Sequence, residues 1–468
     1  MRTLTNVTPT PDQLPILADD KPGFRIIRGA AGSGKTTAAL MRIRQLCASR
    51  MHRRTRLGLD QPVRILVLTF NRTLRGYIRQ LVSEQVEESE GLHLDVETFS
   101  KWAKSIVGNR RIVGVVEYAR LVRPLLSNAG VSAQDIGYFT DEISHIIGRY
   151  PATARETYMD ARRTGRGRSP VVDKNTRAKL LTDVIAPYEA RKEAIDKIDW
   201  NDLAIEAAHA PNQGYDVVVV DEAQDLSANQ LRAVLAHLND DHSTTFIIDA
   251  VQRIYPQRFT WNELGIQVRP EMVFALSRNH RNTQAIARFA RSLVEGLPRE
   301  EDGVLPDETT SGRVGELPQV VAGRYDAQLK HMIADVQPCL RRGHTVGILH
   351  PRGGGWFAHA HRTLDALGIS YCELTRTDEW PTGPEQVALS TIHSAKGLEF
   401  DHVLMPGLNA EVTTHGEGDG DGTLESLRRL LAMGVGRARV TVSVGYKPGQ
   451  QSTLVDLLDP STYRSVEV

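Results

Sequence analysis

Near the N-terminus, Gly29, Ala30, Ala31, Gly32, Ser33, Gly34, Lys35 and Thr36 follow the order G-x-x-x-x-G-K-[ST]. Glycines let successive backbone N–H groups turn inward, the lysine brings a compact cation and the hydroxyl a hard oxygen ligand. Together these suit the phosphates of a nucleoside triphosphate and its Mg2+. Lys35 is expected on the β and γ phosphates, Thr36 on Mg2+, and Thr37 at the start of the following helix. A second concentration of chemistry is Asp221-Glu222-Ala223-Gln224-Asp225. Adjacent carboxylates can divide the work of hydrolysis. Asp221 is expected to hold Mg2+, often through water, and Glu222 to orient and deprotonate the attacking water. Asp225 reads as a cap for a helix beginning near Ser227. Gln252 can touch a γ phosphate and sense its loss, although taken alone it reads as an ordinary loop residue.

These groups need rigid supports. Phe24 to Arg28 (FRIIR) reads as a strand entering the glycine loop, and Thr37 to Ala48 as a helix leaving it, with Ala39, Leu40, Ile43 and Leu46 near helical spacing. The helix N-terminus adds its partial positive charge to the phosphate site. Tyr215 to Val220 (YDVVVV) is a continuous apolar run, as expected of a strand buried on both faces of a parallel sheet, and it ends at Asp221. Thr244 to Ile248 (TTFII) is a further strand. Later strands at Thr345 to Leu349, Val387 to Ile392 and Val440 to Val444 alternate with helices near Gln328 to Leu340 and Phe357 to Leu367, the βα pattern of an α/β fold with parallel sheets.

The order of motifs resembles the UvrD/PcrA/Rep-type superfamily-one DNA helicases over nearly the whole chain. TPDQ (Thr10 to Gln13) resembles the adenine-reading glutamine motif and GAAGSGKT motif I. LVLTFNRTL (Leu66 to Leu74) resembles motif Ia, VETFSKWA (Val96 to Ala103) motif Ib, and DEAQD motif II. DAVQRIY (Asp249 to Tyr255) resembles motif III, LSRNHRN (Leu276 to Asn282) motif IV, STIHSAKGLEF (Ser390 to Phe400) motif V, and RRLLAMGVGRAR (Arg428 to Arg439) motif VI. The resemblance implies that Gln13 bonds adenine, that His280 stacks on it where the family has tyrosine, and that Gly397 and Glu399 meet the ribose side of the nucleotide. It implies that Arg281 and Arg437 reach the γ phosphate from the second lobe as arginine fingers in cis. It places Thr69, Phe70, Asn71, Thr98, Phe99, Tyr255, Trp261 and His393 at motifs that touch single-stranded DNA. For Phe70 and Phe99 taken singly, burial in the core competes with stacking on bases. The sequence departs from the family at Ile248, where motif III opens with glycine, and at Leu427, Ala432 and Gly436 in motif VI.

The resemblance implies two RecA-like lobes. Lobe 1A is expected at 1–107 and 211–270, a helical 1B-like insertion at 108–210, and lobe 2A at 271–468. Little more than lobe 2A fits between Arg281 and Ser390, so the family's 2B insertion is expected to be absent or vestigial. No appended nuclease is expected after motif VI. Arg149, Arg155, Arg162, Arg163, Arg166 and Arg168 suggest a phosphate-contacting edge on the insertion, against the alternative of a solvated charged face. His359, His361 and Cys372 offer no evident fourth metal ligand and read as surface residues, and GEGDGDGTLE lacks the closing glutamate of a calcium loop.

The bulk numbers are permissive. A chain of 468 residues with 41% hydrophobic and 24% charged residues describes a multi-domain globular protein. Lys+Arg and Asp+Glu are 57 each, and such a balance neither requires nor forbids nucleic acid. The start of the chain lacks the apolar core of a secretory signal, no apolar run is long enough to cross a membrane, and three scattered cysteines fit a reducing cytoplasm. The expectation is an ATP- and Mg2+-dependent helicase or translocase on single-stranded or tailed duplex DNA, with RNA also open as the track. Its polarity is 3′→5′ by resemblance, and its setting repair, recombination or anti-phage defence, where a nuclease or another repair or defence subunit would be a partner. The alternative is an ATP-gated DNA-sensing or assembly subunit that does not unwind alone. A P-loop kinase or GTPase is disfavoured by motifs V and VI.

Overall fold

The computed structural model describes residues 8–29, 32–69, 75–76, 78–79, 91–161, 170–248, 259–276, 278–279, 281–297, 312–375, 380–381, 383–415 and 422–468. Two parallel sheets organise them. The first contains β1 (Gly23–Gly29), β2 (Val63–Thr69), β3 (Leu92–Thr98), β4 (Tyr215–Val220), β5 (Leu238–Ile248) and β6 (Val273–Leu276), in the order β3-β2-β4-β5-β1-β6. The second contains β7 (Gln319–Ala322), β8 (Val346–His350), β9 (Tyr371–Glu373), β10 (Val387–Thr391), β11 (Phe400–Met405), β12 (Ala438–Tyr446) and β13 (Arg464–Glu467), in the order β13-β7-β12-β11-β8-β10-β9.

The apolar runs explain the architecture. In β4, Val217 and Val219 enter one core with Ile27, Ile65 and Val67, while Val218 and Val220 enter another with Ile26, Leu66 and Leu68. The side-chain period of two therefore finds an apolar layer on each face, and none of the four valines from Val217 to Val220 can be given to water without loss. The second sheet repeats the device. Leu389, Ile348 and Leu404 pack to one side, and Ala388, Leu349 and Val403 to the other.

Helix α1 (Lys35–Leu57) follows β1. It outruns the expected end at Ala48 because its last turns are polar and carry Arg54 and Arg56, which suit the negative end of the helix but give no apolar spacing to read. Gly58 then closes it at φ 63°, a left-handed conformation that favours glycine.

Two expected boundaries shift. β6 pairs in parallel with β1, Gly29 opposite Leu276, so the first sheet extends past residue 270 and the second lobe's own packing begins with α5 (Gln284–Val294), introduced here with its neighbours α2 (Phe99–Val107), α3 (Trp200–His209) and α4 (Ala228–Leu235). The insertion is helical, and its own core joins Val122, Phe139, Ile143, Val184 and Tyr188. Helix α3, which falls at the end of the range expected for the insertion, instead packs into the first lobe through Leu203, Ala204 and Ala207, against α2 and α4. Among the described residues between 284 and 391, the strands β7 to β10 all belong to the second sheet.

Candidate nucleotide site between the two lobes

The glycine loop joins β1 to α1. Gly32 and Gly34 take φ values of 81° and 78°, which side chains rarely adopt. At Gly32 a Cβ would stand 2.5 Å from Asn279 Oδ1 and 2.8 Å from Arg281 Cβ, so the segment between the lobes lies directly on the loop. Gly34 precedes α1 without a side-chain cap, leaving the first-turn N–H groups to another acceptor. Ser33 Oγ is buried and has no hydrogen-bond partner among the described residues, and the same holds for Arg281 Nε. Buried donors without acceptors are what an anion would satisfy. Lys35 Nζ donates to Gly29 O at 2.7 Å. Ala30 and Ala31 lie outside the described residues, and Thr37 is half-buried in the first turn.

Asp221 and Glu222 follow β4, with β5 lying between β4 and β1. The Thr36 hydroxyl donates to Asp221 Oδ2 at 3.3 Å, so the two expected Mg2+ ligands meet. Burial, joined by the charge of Glu222, pushes the Asp221 carboxyl up to about 7. Burial also works to raise Glu222, but Lys396, Lys35 and Arg437 outweigh it and hold that carboxyl below its ordinary range. A hard divalent cation beside Thr36 and Asp221 would supply the charge that Asp221 lacks, and the oxygen donors fit one. Glu222 takes φ 53°, left-handed backbone for a non-glycine residue, and its carboxylate accepts from Gln224 Nε2. Such a conformation needs support from its surroundings, and the second lobe provides some of it.

Lys396 is that support, and sequence reasoning passed over it. It lies in the turn between β10 and β11, is 1% exposed, and pairs with Asp225 and with Glu222 at 3.3 Å across the cleft. Its signal was a single cation inside the apolar stretch from Ala395 to Leu398. Asp225, expected only as a helix cap, is thus an ion-pair partner; Ser227 caps α4 by accepting from Gln230 N.

The remaining expected residues divide. Arg281 pairs with Glu399 and donates to Gly436 O at 3.3 Å, while Asn282 donates to Gly436 O at 3.1 Å. Arg437 is 3% exposed, donates from Nε to Met433 O, and is close enough to Glu222 to help hold it ionised. Glu399, expected at the ribose, faces Arg281; burial opposes its charge, and Arg281 nonetheless holds it below the ordinary range. Gly397 turns with φ 85°. Gln13 is buried against the loop, donating to Gly34 O at 3.1 Å and accepting from Thr10 N. Gln252 and His280 lie outside the described residues.

Among the expected DNA contacts, Phe99 was open to burial in the core or to stacking on bases, and it is buried. It is 4% exposed and packs on Trp102 in the first-lobe core, because the apolar face of α2 needs it there. Thr98 caps α2 by accepting from Lys101 N. Thr69 is buried at the end of β2. Trp261 is half-buried with its ring against Phe246 and Phe259. His393 is half-buried, and burial with Lys396 nearby keeps its imidazole below the usual range. Phe70, Asn71 and Tyr255 lie outside the described residues. In the arginine-rich stretch, Arg149 pairs with Glu263 and Arg155 with Glu189 at 2.6 Å, so these two serve internal pairs rather than a phosphate edge; Arg162, Arg163, Arg166 and Arg168 lie outside the described residues. His359 pairs with Asp326, and His361 stacks on Tyr371, in keeping with surface roles.

Residues 19–258 match the model of an AAA domain, and residues 365–447 that of a UvrD-like helicase C-terminal domain. A probable DNA helicase of Mycoplasma pneumoniae is 23% identical over 93% of this chain and 84% of its own length. A probable DNA helicase II homolog of the same organism is 22% identical over 61% of this chain and 42% of its own length. The C-terminal domain of a possible DNA helicase from Lactobacillus plantarum is 22% identical, covers 40% of this chain and 98% of its own, and superposes with a TM-score of 0.30. No described helix is long and apolar enough to cross a membrane. With the first model spanning more than half of the sequence and the second falling on the segment that carries Lys396 and Arg437, the chain belongs to the UvrD-like family of P-loop helicases.

Proposed function

We propose that this chain hydrolyses ATP in the cleft between its lobes and uses the cycle to move along single-stranded DNA, 3′→5′, separating strands on a tailed duplex. The observation that supports this reading most is the crossing of charge between lobes. The carboxylates after β4 face Lys396 and Arg437 from the second lobe, and Arg281 sits between the glycine loop and Glu399. In this reading Lys35 and the first-turn amides of α1 hold the β and γ phosphates. Thr36 and Asp221 hold Mg2+, which neutralises phosphate charge and fixes the triphosphate. Glu222, kept ionised, accepts a proton as water oxygen bonds to the γ phosphorus and the bond to the bridging oxygen breaks, giving ADP and phosphate. Arg281 and Arg437 stabilise charge on the transferring group. Loss of that charge removes the reason for the second lobe's arginines to approach, so the lobes part and DNA grip changes.

DNA as the track rests on the names of the Mycoplasma relatives. The test pairs an ATPase assay, with and without single-stranded DNA or RNA, with strand displacement on 3′- and 5′-tailed duplexes. DNA-stimulated hydrolysis with displacement from the 3′ tail is the expected result. Stimulation without displacement would favour a sensing or assembly subunit, and no stimulation by any nucleic acid would sink the motor reading.

A further inference from the structure

A second cluster of chemistry, at the end of a second-lobe helix and on β11, shares no residue with the carboxylate cleft. Cys339, near the end of helix α6 (Tyr325–Leu340), His344 in the following turn and His402 on β11 bring one sulfur and two imidazole nitrogens within 4.8 Å of one another. His344 Nδ1 lies 2.9 Å from His402 Nε2, and the rings stack with centroids 5.2 Å apart.

The local sequence builds this arrangement. In Cys339-Leu340-Arg341-Arg342-Gly343-His344, the N–H of His344 donates to Cys339 O and that of Gly343 to Leu340 O, with Gly343 at φ 84°. That is a Schellman ending, and it folds the residue after the glycine back onto the last turn of the helix. Here those two residues are a histidine and a cysteine. Gln386 Nε2 ties the turn down through Leu340 O and His344 O. The third ligand is aimed independently. His402 is 2% exposed, and its Nδ1 is 2.7 Å from the Thr441 hydroxyl, which leaves Nε2 facing the cluster. Fixing the second nitrogen of a histidine in this way is the usual support of a metal ligand.

We propose that Cys339, His344 and His402 bind a borderline-soft late first-row divalent cation of the Zn2+ kind, with the fourth position left to water. The donor set selects against Mg2+ and Ca2+, which take oxygen. Donors on one tetrahedral Zn2+ stand roughly 3.3–3.7 Å apart from bond lengths near 2.0–2.3 Å, so the cluster closes on an ion with small movements. Cys339 and His344 are half-buried, which gives the ion a path from solvent, and the thiol proton leaves to water on binding. Bound metal would pin the end of α6, the entry to β8 and β11 together. β11 begins one residue after Glu399, so the pin reaches the strand that follows the nucleotide site.

The test uses the full chain, stripped with a chelator, dialysed and titrated with Co2+. One equivalent should bind with a thiolate-to-cobalt charge-transfer band in the near ultraviolet, displaced by Zn2+ and unaffected by excess Mg2+. Cys339→Ser should abolish the band. His344→Ala should weaken Co2+ binding at least about 100-fold, since even outer partners of a ligand are worth 10–100-fold. Cys372→Ser, on β9 and the other cysteine of this lobe, should leave both unchanged. Circular dichroism checks that each variant folds; should Cys339→Ser fail that check, His344→Ala decides. Absence of the band in the natural chain, its survival in folded Cys339→Ser, undiminished affinity in His344→Ala, or its loss in folded Cys372→Ser would overturn the site.

Discussion

At the scale of single residues, the site is a set of charges whose burial forces them to depend on one another. Arg437 is buried beside Glu222 and comes from the other lobe, so in the proposed cycle its largest effect would fall on the transition state rather than on nucleotide capture. Arg437→Ala should lower ATP turnover about 10³-fold, the lower end of what an arginine finger is worth, while nucleotide affinity changes only a few-fold; weakened affinity at normal turnover would refute the role. Lys35→Ala should reduce turnover at least about 100-fold with the fold retained by circular dichroism. Asp221 carries a pH signature as well. Its carboxyl rises from 3.8 to about 7 in the folded chain. The protonated form is neutral in both states, so no penalty exists below about pH 4. The penalty accumulates as the folded chain is forced to ionise it, and with EDTA present stability should fall as pH rises from about 4 to 7. Glu222, shifted downward, acts in the opposite sense: its contribution grows with pH until the unfolded group is ionised, just above its ordinary 4.5, so it cannot produce the decline. Thermal unfolding of Asp221→Asn should lack the decline, and Mg2+ should suppress it in the natural chain. A decline of equal slope in Asp221→Asn would remove Asp221 as its source.

At the scale of elements, the turn between β10 and β11 carries Lys396 into the first lobe. Its two carboxylate partners are buried with it, so removing the amine strands negative charge. Lys396→Ala should destabilise the chain by about 3 kcal/mol, the range for breaking a buried pair. Lys396→Met combined with Asp225→Asn should recover much of that loss, because the double change also removes a charge. Urea unfolding measures both, and simple additivity of the two single changes would show that the pair is not coupled. This element marks the limit of sequence reading. β4 was legible because YDVVVV is apolar at every position but one, and the glycine loop because each residue type in it has a single physical use. β6 was assigned to the wrong lobe since four residues, VFAL, pair as readily with either sheet by their pattern. α3 was assigned to the insertion since helices leave no mark in sequence of which core they face. The partnership of Lys396 with Asp225 joins residues 171 positions apart, and nothing local announces it. Phe99 stayed open between two uses for the reason that makes aromatics ambiguous: the same ring serves a core or a base stack, and the sequence does not show its burial.

At the scale of the whole molecule, each sheet is sandwiched between its own apolar layers, while the named ties across the cleft are polar: Lys396 to Asp225 and Glu222, and Asn279, Arg281 and Asn282 at Gly32, the last two also reaching Gly436. Two cores joined by charges can hold together or move apart as the charge between them changes, which a continuous apolar interface would resist. Nucleotide binding should therefore reach the second lobe through Arg281 in particular, since that side chain touches Glu399 and Gly436 on one side and lies against the glycine loop on the other. With a non-hydrolysable ATP analogue and Mg2+ at about 100 times the dissociation constant, linkage gives about 2.7 kcal/mol of added stability to whatever the ligand holds together. Hydrogen exchange should show slower exchange in both β4 and β11 of the natural chain. In Arg281→Ala, with analogue raised to the same multiple of its own dissociation constant, β4 should keep its added protection and β11 should lose most of it. Equal protection of β11 in the variant would mean that the lobes are coupled by some route other than Arg281, with Lys396 the next to test.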